Sequence, residues 1–460
     1  MNWDKFGMGG DALGKTITEV TRETPVIGEF DVCVVGGSCT GAFAAIRAAQ
    51  CGMRTAIVEK QNAFGGAATS GLVSVWHSLY NTTGEQQIVG GLTAELIGIL
   101  DRRNDVIKDE GNVDQTYRLN TEELKIELDI LVRKNRITPF LHTLYCGAAI
   151  NNGRVEAVFV ENKDGRGAIK AKFFIDASGD GDLLKSAGVP RYTLPHMQPP
   201  TMCAKILGTD GINISGLIRE HHAEFDLAPD HGWNTDIPKV KGIRMHAETH
   251  VFNVNTAVAA DLAFAEMEGR RHVRQYMDMI KKHVPEGDKI VLLSLPSYIG
   301  IRDTYHYKCL YQVTGEDILY GKNFPDAILN GTYRVDIHHS DGNGLTYKYL
   351  DGKSEIRAAA GQPMITGRWR EETAENPTYY QIPYRAIIPD APLGNLLLAG
   401  RMIGANEEGF SALRVMVNTN QMGEAAGVAA AIAVEKSLEA RHVDPQELRK
   451  RMATLGSIVL

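Results

Sequence analysis

Apolar residues fall along this chain in short blocks that switch between two periods. Phe30–Val35 is a β-branched apolar run closed by Gly36-Gly37. A run of that length bounded by glycines reads as a buried strand. Gly41–Cys51 is alanine-rich and predicts a helix that can press closely on a sheet. Thr55–Val58 is again short and apolar, so the pattern is β-turn-α-β within about 30 residues. Glu122–Lys134 has helical spacing, and Thr138–Tyr145, Val155–Glu161 and Lys172–Ile175 read as strands. Asn151-Asn152-Gly153 forms a tight hairpin turn between the first two of these. From Pro190 prolines, histidines and aromatics become frequent and the alternation breaks. In that stretch Ala257–Lys282 is a long amphipathic helix and Ile290–Ile301 an apolar strand. Near Tyr380 the alternation of strand and helix resumes, with a buried strand at Leu396–Leu398 and a small-residue helix at Ser411–Lys436. Residues 1 to about 26 are polar and read as an arm or surface turn.

This order predicts an α/β protein with a Rossmann-like parallel sheet split in sequence. Residues 27–190 form its first part and 381–460 its second part with a C-terminal helix. Residues 191–380 are an inserted α+β domain.

Composition narrows the picture. A chain of 460 residues is long for one domain. Its 47 glycines exceed the usual share without any collagen-like period, so they serve tight turns and close backbone approaches. A net charge of -7 provides no basic footprint for nucleic acid. No apolar run reaches the roughly 18–20 residues that cross a bilayer, so no membrane partner is expected. The six cysteines, at 33, 39, 51, 146, 203 and 309, include no C-x-x-C pair and read as thiols of a reducing compartment. The opening MNWDKFGMGGDALGKT lacks the layout of a secretory signal, and the cytoplasm is expected.

The first chemical motif is Val34-Val35-Gly36-Gly37-Ser38-Cys39-Thr40-Gly41, placed after a strand and opening a helix. Gly36 permits the tight turn, and the helix start offers free N–H groups to a pyrophosphate. Ser38 stands where the usual G-x-G-x-x-G spacing has its second glycine, and it fits only if its side chain turns away. Glu59 ends the second strand, 23 residues after Gly36, with Lys60 next. A carboxylate there suits a ribose diol. Strand, turn, helix and acid in register point to a nucleotide.

Three further blocks narrow the nucleotide: Ala63-Phe64-Gly65-Gly66-Ala67-Ala68-Thr69-Ser70-Gly71, Ile175-Asp176-Ala177-Ser178-Gly179-Asp180-Gly181-Asp182, and Asn395–Arg401 with Arg414-Val415-Met416 and Gly423–Gly427. The series resembles the FAD-dependent oxidoreductases of the glutathione-reductase-like superfamily, and more narrowly its broad FAD dependent oxidoreductase family. The resemblance covers about 30–200, 290–325 and 380–455. It implies FAD as cofactor, a GR2-like fold, and a substrate-specifying role for the inserted domain. It also implies the following contacts. Gly65-Gly66, with Ala67, Thr69, Ser70 and Gly71, lies beside the pyrophosphate and flavin. Ala177-Ser178-Gly179 passes the ribityl and adenosine segments. Gly400 runs under the ribityl chain, and the N–H groups near Leu413, Arg414 and Val415 face the flavin N1/C2 edge. The backbone of Tyr145 meets adenine. One departure is Arg401, where the superfamily often has an acid. Either Asp180 or Asp182 takes the ribityl contact, or Arg401 binds phosphate.

No second strand-GxGxxG-helix unit and no paired redox cysteines are present. Electrons therefore enter or leave through a small-molecule substrate or a separate donor or acceptor. The expected reaction passes a hydride between a small organic substrate and flavin N5. The alternatives are a reductase of activated double bonds with an external donor, and a non-catalytic flavin-binding module. For catalysis, Leu295–His306 ends an apolar stretch in a polar cluster. Arg302 there could clamp a carboxylate or polarise a carbonyl, and Tyr305 or His306 could move a proton. An Arg302–Asp303 ion pair among core aromatics is the plain structural alternative. His77 follows the Gly65–Gly71 loop and is the other candidate. His338-His339, with Asp336 and Asp341, reads as a polar loop, because neighbours on a strand point to opposite faces. No metal is expected.

Overall fold

The computed structural model describes residues 16–19, 21–109, 116–229, 232–342, 344–358 and 363–460. The first block becomes strand β1 (Val26–Val35), helix α1 (Cys39–Gln50) and strand β2 (Thr55–Val58). Helix α2 (Thr121–Lys134) is capped by Asn120, whose side chain accepts the Glu122 N–H at 3.2 Å. Four strands follow: β3 (Thr138–Phe140), β4 (Leu144–Asn151), β5 (Arg154–Asn162) and β6 (Gly165–Asp176). The expected strand 138–145 is thus two strands. The first lies parallel to β2, and the second folds back antiparallel on β5. The hairpin between β4 and β5 turns at Asn152 and Gly153, both at positive φ.

The sheet runs β3-β2-β1-β6, with the late strand β7 (Leu396–Leu398) also parallel to β6. Register places Val35 opposite both Val58 and Asp176, and Leu398 opposite Asp176. Four strands therefore end at one edge. The turns that follow them, at Gly36, Glu59, Ala177 and Ala399, share one crevice at the carboxyl ends, where open α/β sheets bind ligands.

The expected helix 411–436 is broken into α3 (Glu407–Leu413) and α4 (Met416–Lys436), with Arg414 and Val415 at the joint. Asn406 starts α3, its side chain accepting the Gly409 N–H at 2.9 Å. Helix α4 lies tightly on α1. A side chain at Gly423 would stand 2.1 Å from the Thr40 carbonyl oxygen, so only bare backbone fits. The contact also buries Arg47, whose Nε donates to Glu424 at 2.8 Å.

Between the two halves, a four-stranded antiparallel sheet (233–237, 240–247, 204–207, 291–294) carries the helix Ala259–His283. The apolar stretch from Ile290 is strand only at Val291–Ser294, an edge with Val291 and Leu293 exposed. The rest runs irregularly alongside the Gly65–Gly71 loop, with the Ser297 N–H on the Ser70 carbonyl at 2.8 Å. This unit has its own core, from Met202 to Ile299. The side chains of Tyr307, Val313, Ile318 and Val335 instead join the core of the parallel sheet. A second antiparallel sheet spans 335–338, 344–348, 353–358 and 365–368. Among the described residues no helix is long and apolar enough to cross a membrane.

Candidate functional site

The crevice is built from backbone first. Gly36 has φ +103°, and a side chain there would meet the Ala177 carbonyl oxygen at 2.3 Å. At Gly41 a side chain would stand 1.9 Å from the Gly36 carbonyl oxygen. The turn and helix start can close only without either Cβ. Ser38, at the place of the missing glycine, turns its hydroxyl onto its own helix, accepting the Gly41 N–H at 3.4 Å. The Gly65 loop is tied alongside by its N–H on the Gly37 carbonyl at 2.8 Å.

Glu59 is buried at the end of β2. One carboxylate oxygen accepts the Gly37 N–H at 2.6 Å and the other the Gln61 N–H at 2.8 Å. The same side chain thus braces the glycine turn and faces the crevice. Asp176, which no motif had marked as a site residue, shapes the opposite wall. One oxygen takes the Ser178 N–H at 3.0 Å and the Ser178 hydroxyl at 2.7 Å, and the other takes the Leu184 N–H at 2.9 Å. Burial pushes its carboxyl up to about 6.

Arg401 lies over the Gly179 turn, its guanidinium 2.7 Å from where a Gly179 side chain would begin. It pairs with Asp180 at 2.6 Å, and its buried Nε has no partner among the described residues. Asp182 opens the helix Asp182–Ser186, and its carboxyl is raised by burial and then by Asp180, with exposed Lys60 nearby lowering it. Tyr145 lies on β4, whose approach is bound to β2 through the Thr143 N–H on the Glu59 carbonyl at 3.0 Å. Tyr298 is an addition that no motif announces. Its hydroxyl would be 3.4 Å from a Gly66 side chain, and burial raises its phenol far above the usual range, with Glu59 adding to the rise. It reaches into the crevice from the segment after Ser294. Bare backbone, a helix start, a braced carboxylate and an unpartnered guanidinium nitrogen fit a dinucleotide.

A second cluster lies where the α3–α4 joint meets the inserted segment. Arg302 donates through Nη1 to the Pro199 carbonyl at 2.8 Å and to the Thr201 hydroxyl at 2.5 Å. Burial and then the neighbouring Arg414 bring its guanidinium down to about 10. Arg414 donates to Asp336 at 3.0 Å, and Asp336 also accepts the Tyr333 hydroxyl at 2.5 Å. His338 stands 3.4 Å from Asp336. Burial opposes ionisation of Asp336, yet His338 and Arg414 hold its carboxyl well below the usual range. His77 packs on Tyr333 with ring centroids 4.1 Å apart. Burial, aided by Arg334, lowers His77 to about 3, and burial, aided by Arg302, lowers His338 to about 3. Both shifts favour the neutral imidazole.

Of the four catalytic candidates, the structure brings Arg302 and His77 to this cluster and leaves Tyr305 and His306 outside it. His306 is fully buried between Asp303, at 2.9 Å, and the Ile403 carbonyl, at 2.9 Å. Tyr305 lies under the Arg191 guanidinium at 3.8 Å. Asp303 therefore serves His306, and Arg302 turns to Thr201. The histidines at 338 and 339 do face opposite ways, since His339 bonds Thr346 at 2.8 Å. Asp336 and His338, however, belong to the cluster and not to a plain polar loop. A charged residue alternating with histidine on a short strand was the signal. Elsewhere His221, Glu224 and His283 are close enough to share an ion. Their imidazoles stack 3.7 Å apart at 9°, and parallel rings cannot aim both in-plane lone pairs at one ion.

A profile described as FAD dependent oxidoreductase matches residues 31–452. The mitochondrial dihydrolipoyl dehydrogenase of Schizosaccharomyces pombe is 29% identical over 165 residues, 33% of this chain and 28% of that protein. Dihydrolipoyl dehydrogenase of Trypanosoma brucei brucei is 30% identical over 164 residues, 34% of this chain and 31% of that protein. The matched stretch thus spans less than a third of these relatives. Among solved structures, a geranylgeranyl bacteriochlorophyll reductase-like protein from Thermoplasma acidophilum aligns over 93% of this chain and 83% of its own, at TM-score 0.45 and 13% identity. A p-nitrophenol 4-monooxygenase from Pseudomonas putida aligns over 93% and 86%, at 0.45 and 10%.

Proposed function

The chain belongs to the FAD dependent oxidoreductase family, and from that premise we propose that it passes a hydride between a small organic substrate and flavin N5 at the Arg302–His77 cluster. FAD, when bound, supplies the two-electron redox chemistry. The glycine turns at Gly36–Gly41 and Gly65-Gly66 would hold its pyrophosphate, Glu59 its adenosine ribose, and Arg401 or its partner Asp180 the linking segment. The free N–H groups at the start of α4, at the Arg414–Val415 joint, would stabilise the negative charge that reduction places on the flavin.

The observation that carries the reading is convergence. Arg302 comes from the inserted segment, His77 from the chain beyond the Gly65 loop, and Arg414 from the joint between α3 and α4. Tyr333 links two of them, since His77 packs on its ring and its hydroxyl shares Asp336 with Arg414, and Arg302 lies within electrostatic reach of Arg414. There Arg302 orients the substrate and stabilises charge that develops on it. His77 is neutral without substrate, and the proton that leaves the substrate heteroatom passes to it as negative charge develops on that heteroatom beside the ring, while the substrate C–H bond gives up the hydride.

Heat release followed by chromatography identifies the flavin, and FMN would sink the assignment. Candidate substrates are then mixed anaerobically with the holoenzyme while flavin absorbance is followed. With a substrate that bleaches it, Arg302→Lys should keep its FAD and lose on the order of 2–4 kcal/mol of barrier stabilisation. A reduction rate within about threefold of wild type (under ~1 kcal/mol) rejects Arg302 as substrate-facing.

A further inference from the structure

We infer that the substrate carries a carboxylate, taken by the open edge of Arg302; this rests on the hydride-transfer reading above. Both hydrogen bonds of the Arg302 guanidinium leave from Nη1, and both acceptors, the Pro199 carbonyl and the Thr201 hydroxyl, are neutral. Among the described residues no hydrogen bond engages Nε or Nη2. Those two nitrogens form the edge that meets a carboxylate with two parallel N–H bonds.

The charges around that edge are out of balance in the direction an anion would correct. The carboxylate next in sequence, Asp303, is turned away, with one oxygen on His306 at 2.9 Å and the other on the Gln198 N–H at 3.3 Å. The carboxylate within electrostatic reach, Asp336, is already shared by Arg414, Tyr333 and His338. After burial, the main influence on Arg302 is a second cation, Arg414. His77 and His338 add no negative charge. A half-buried guanidinium beside another guanidinium is costly unless an anion sits with it. Thr201 and Pro199 pin one end of the fork and hold its other edge in place. The substrate's carboxylate completes the pocket, and its reacting carbon extends from there toward the flavin end of the crevice.

The test uses the purified holoenzyme, with bound FAD counted after heat release. Malonate and its uncharged diamide are titrated at constant ionic strength, read by the flavin difference spectrum and by thermal shift. Malonate should perturb the flavin and saturate, while malonamide at equal concentration should not. Arg302→Met should keep its FAD and weaken malonate at least tenfold, and Arg302→Lys should weaken it less. Equal responses to malonate and malonamide, or unchanged malonate affinity in Arg302→Met, overturn the proposal. So does displacement of malonate by lower concentrations of inorganic phosphate. If Arg302→Met does not fold, the malonate–malonamide contrast in wild type decides alone. If the protein purifies without FAD, the hydride-transfer reading fails, and thermal shift of the apo chain still decides the anion site.

Discussion

Glu59→Ala removes two things at once, and the geometry separates them. In the native crevice the carboxylate takes the Gly37 N–H at 2.6 Å and the Gln61 N–H at 2.8 Å. A hydrogen bond to a charged acceptor contributes about 1.5–3 kcal/mol net. Gly37 is buried, so its stranded N–H carries that loss in full, while half-buried Gln61 can turn to water. The apo-protein should therefore lose about 2–3 kcal/mol, read as a lower denaturation midpoint at unchanged slope. The bonds proposed to the ribose hydroxyls would be lost separately, and FAD should bind about 10- to 150-fold more weakly, or about 1.4–3 kcal/mol. Glu59→Gln keeps one oxygen for Gly37 and should recover most of the stability with only part of the affinity. Fluorescence titration of apo-protein with FAD measures the second effect. An affinity for Glu59→Ala within threefold of wild type would refute the ribose role. Unchanged apo stability would show that the Gly37 bond contributes nothing.

Two other expectations follow from the same crevice. Gly41→Val should abolish FAD retention, because its Cβ would stand 1.9 Å from the Gly36 carbonyl oxygen and push helix from strand; yellow protein after gel filtration would contradict this. Asp176 titrates near 6 when folded against an ordinary 3.8, so the folded state binds the extra proton. Its contribution to stability is complete below about pH 4 and is lost as pH rises through 6, about 3 kcal/mol in all. Unfolding curves between pH 4 and 7 should flatten by that amount in Asp176→Asn, and an unchanged pH slope would sink the assignment.

The nucleotide half of the protein was largely legible in the chain because its signals are local. Gly36, Gly41, Glu59 and Leu396–Leu398 each owe their role to a strand end or a turn within a few residues. Periodicity and glycine spacing report such features directly. Local signals misjudged length where neighbours decide it. The strand expected at 138–145 divides because β3 pairs with β2 and β4 with β5. The helix expected at 411–436 breaks at Arg414, where Arg414 bonds Asp336 from another sheet. The chemistry of the second cluster was only half visible. Arg302 and His77 stood out as polar residues after apolar runs, but nothing near them in sequence shows that Asp336 and His338 share their pocket. Nor does sequence show that Asp303 chooses His306 over Arg302, or that Tyr298 crosses into the crevice. Those pairings join residues from separate sheets and from both sides of the inserted segment. Spacing along a chain sets which face a side chain takes, whereas the partner it meets there is set by how the elements pack.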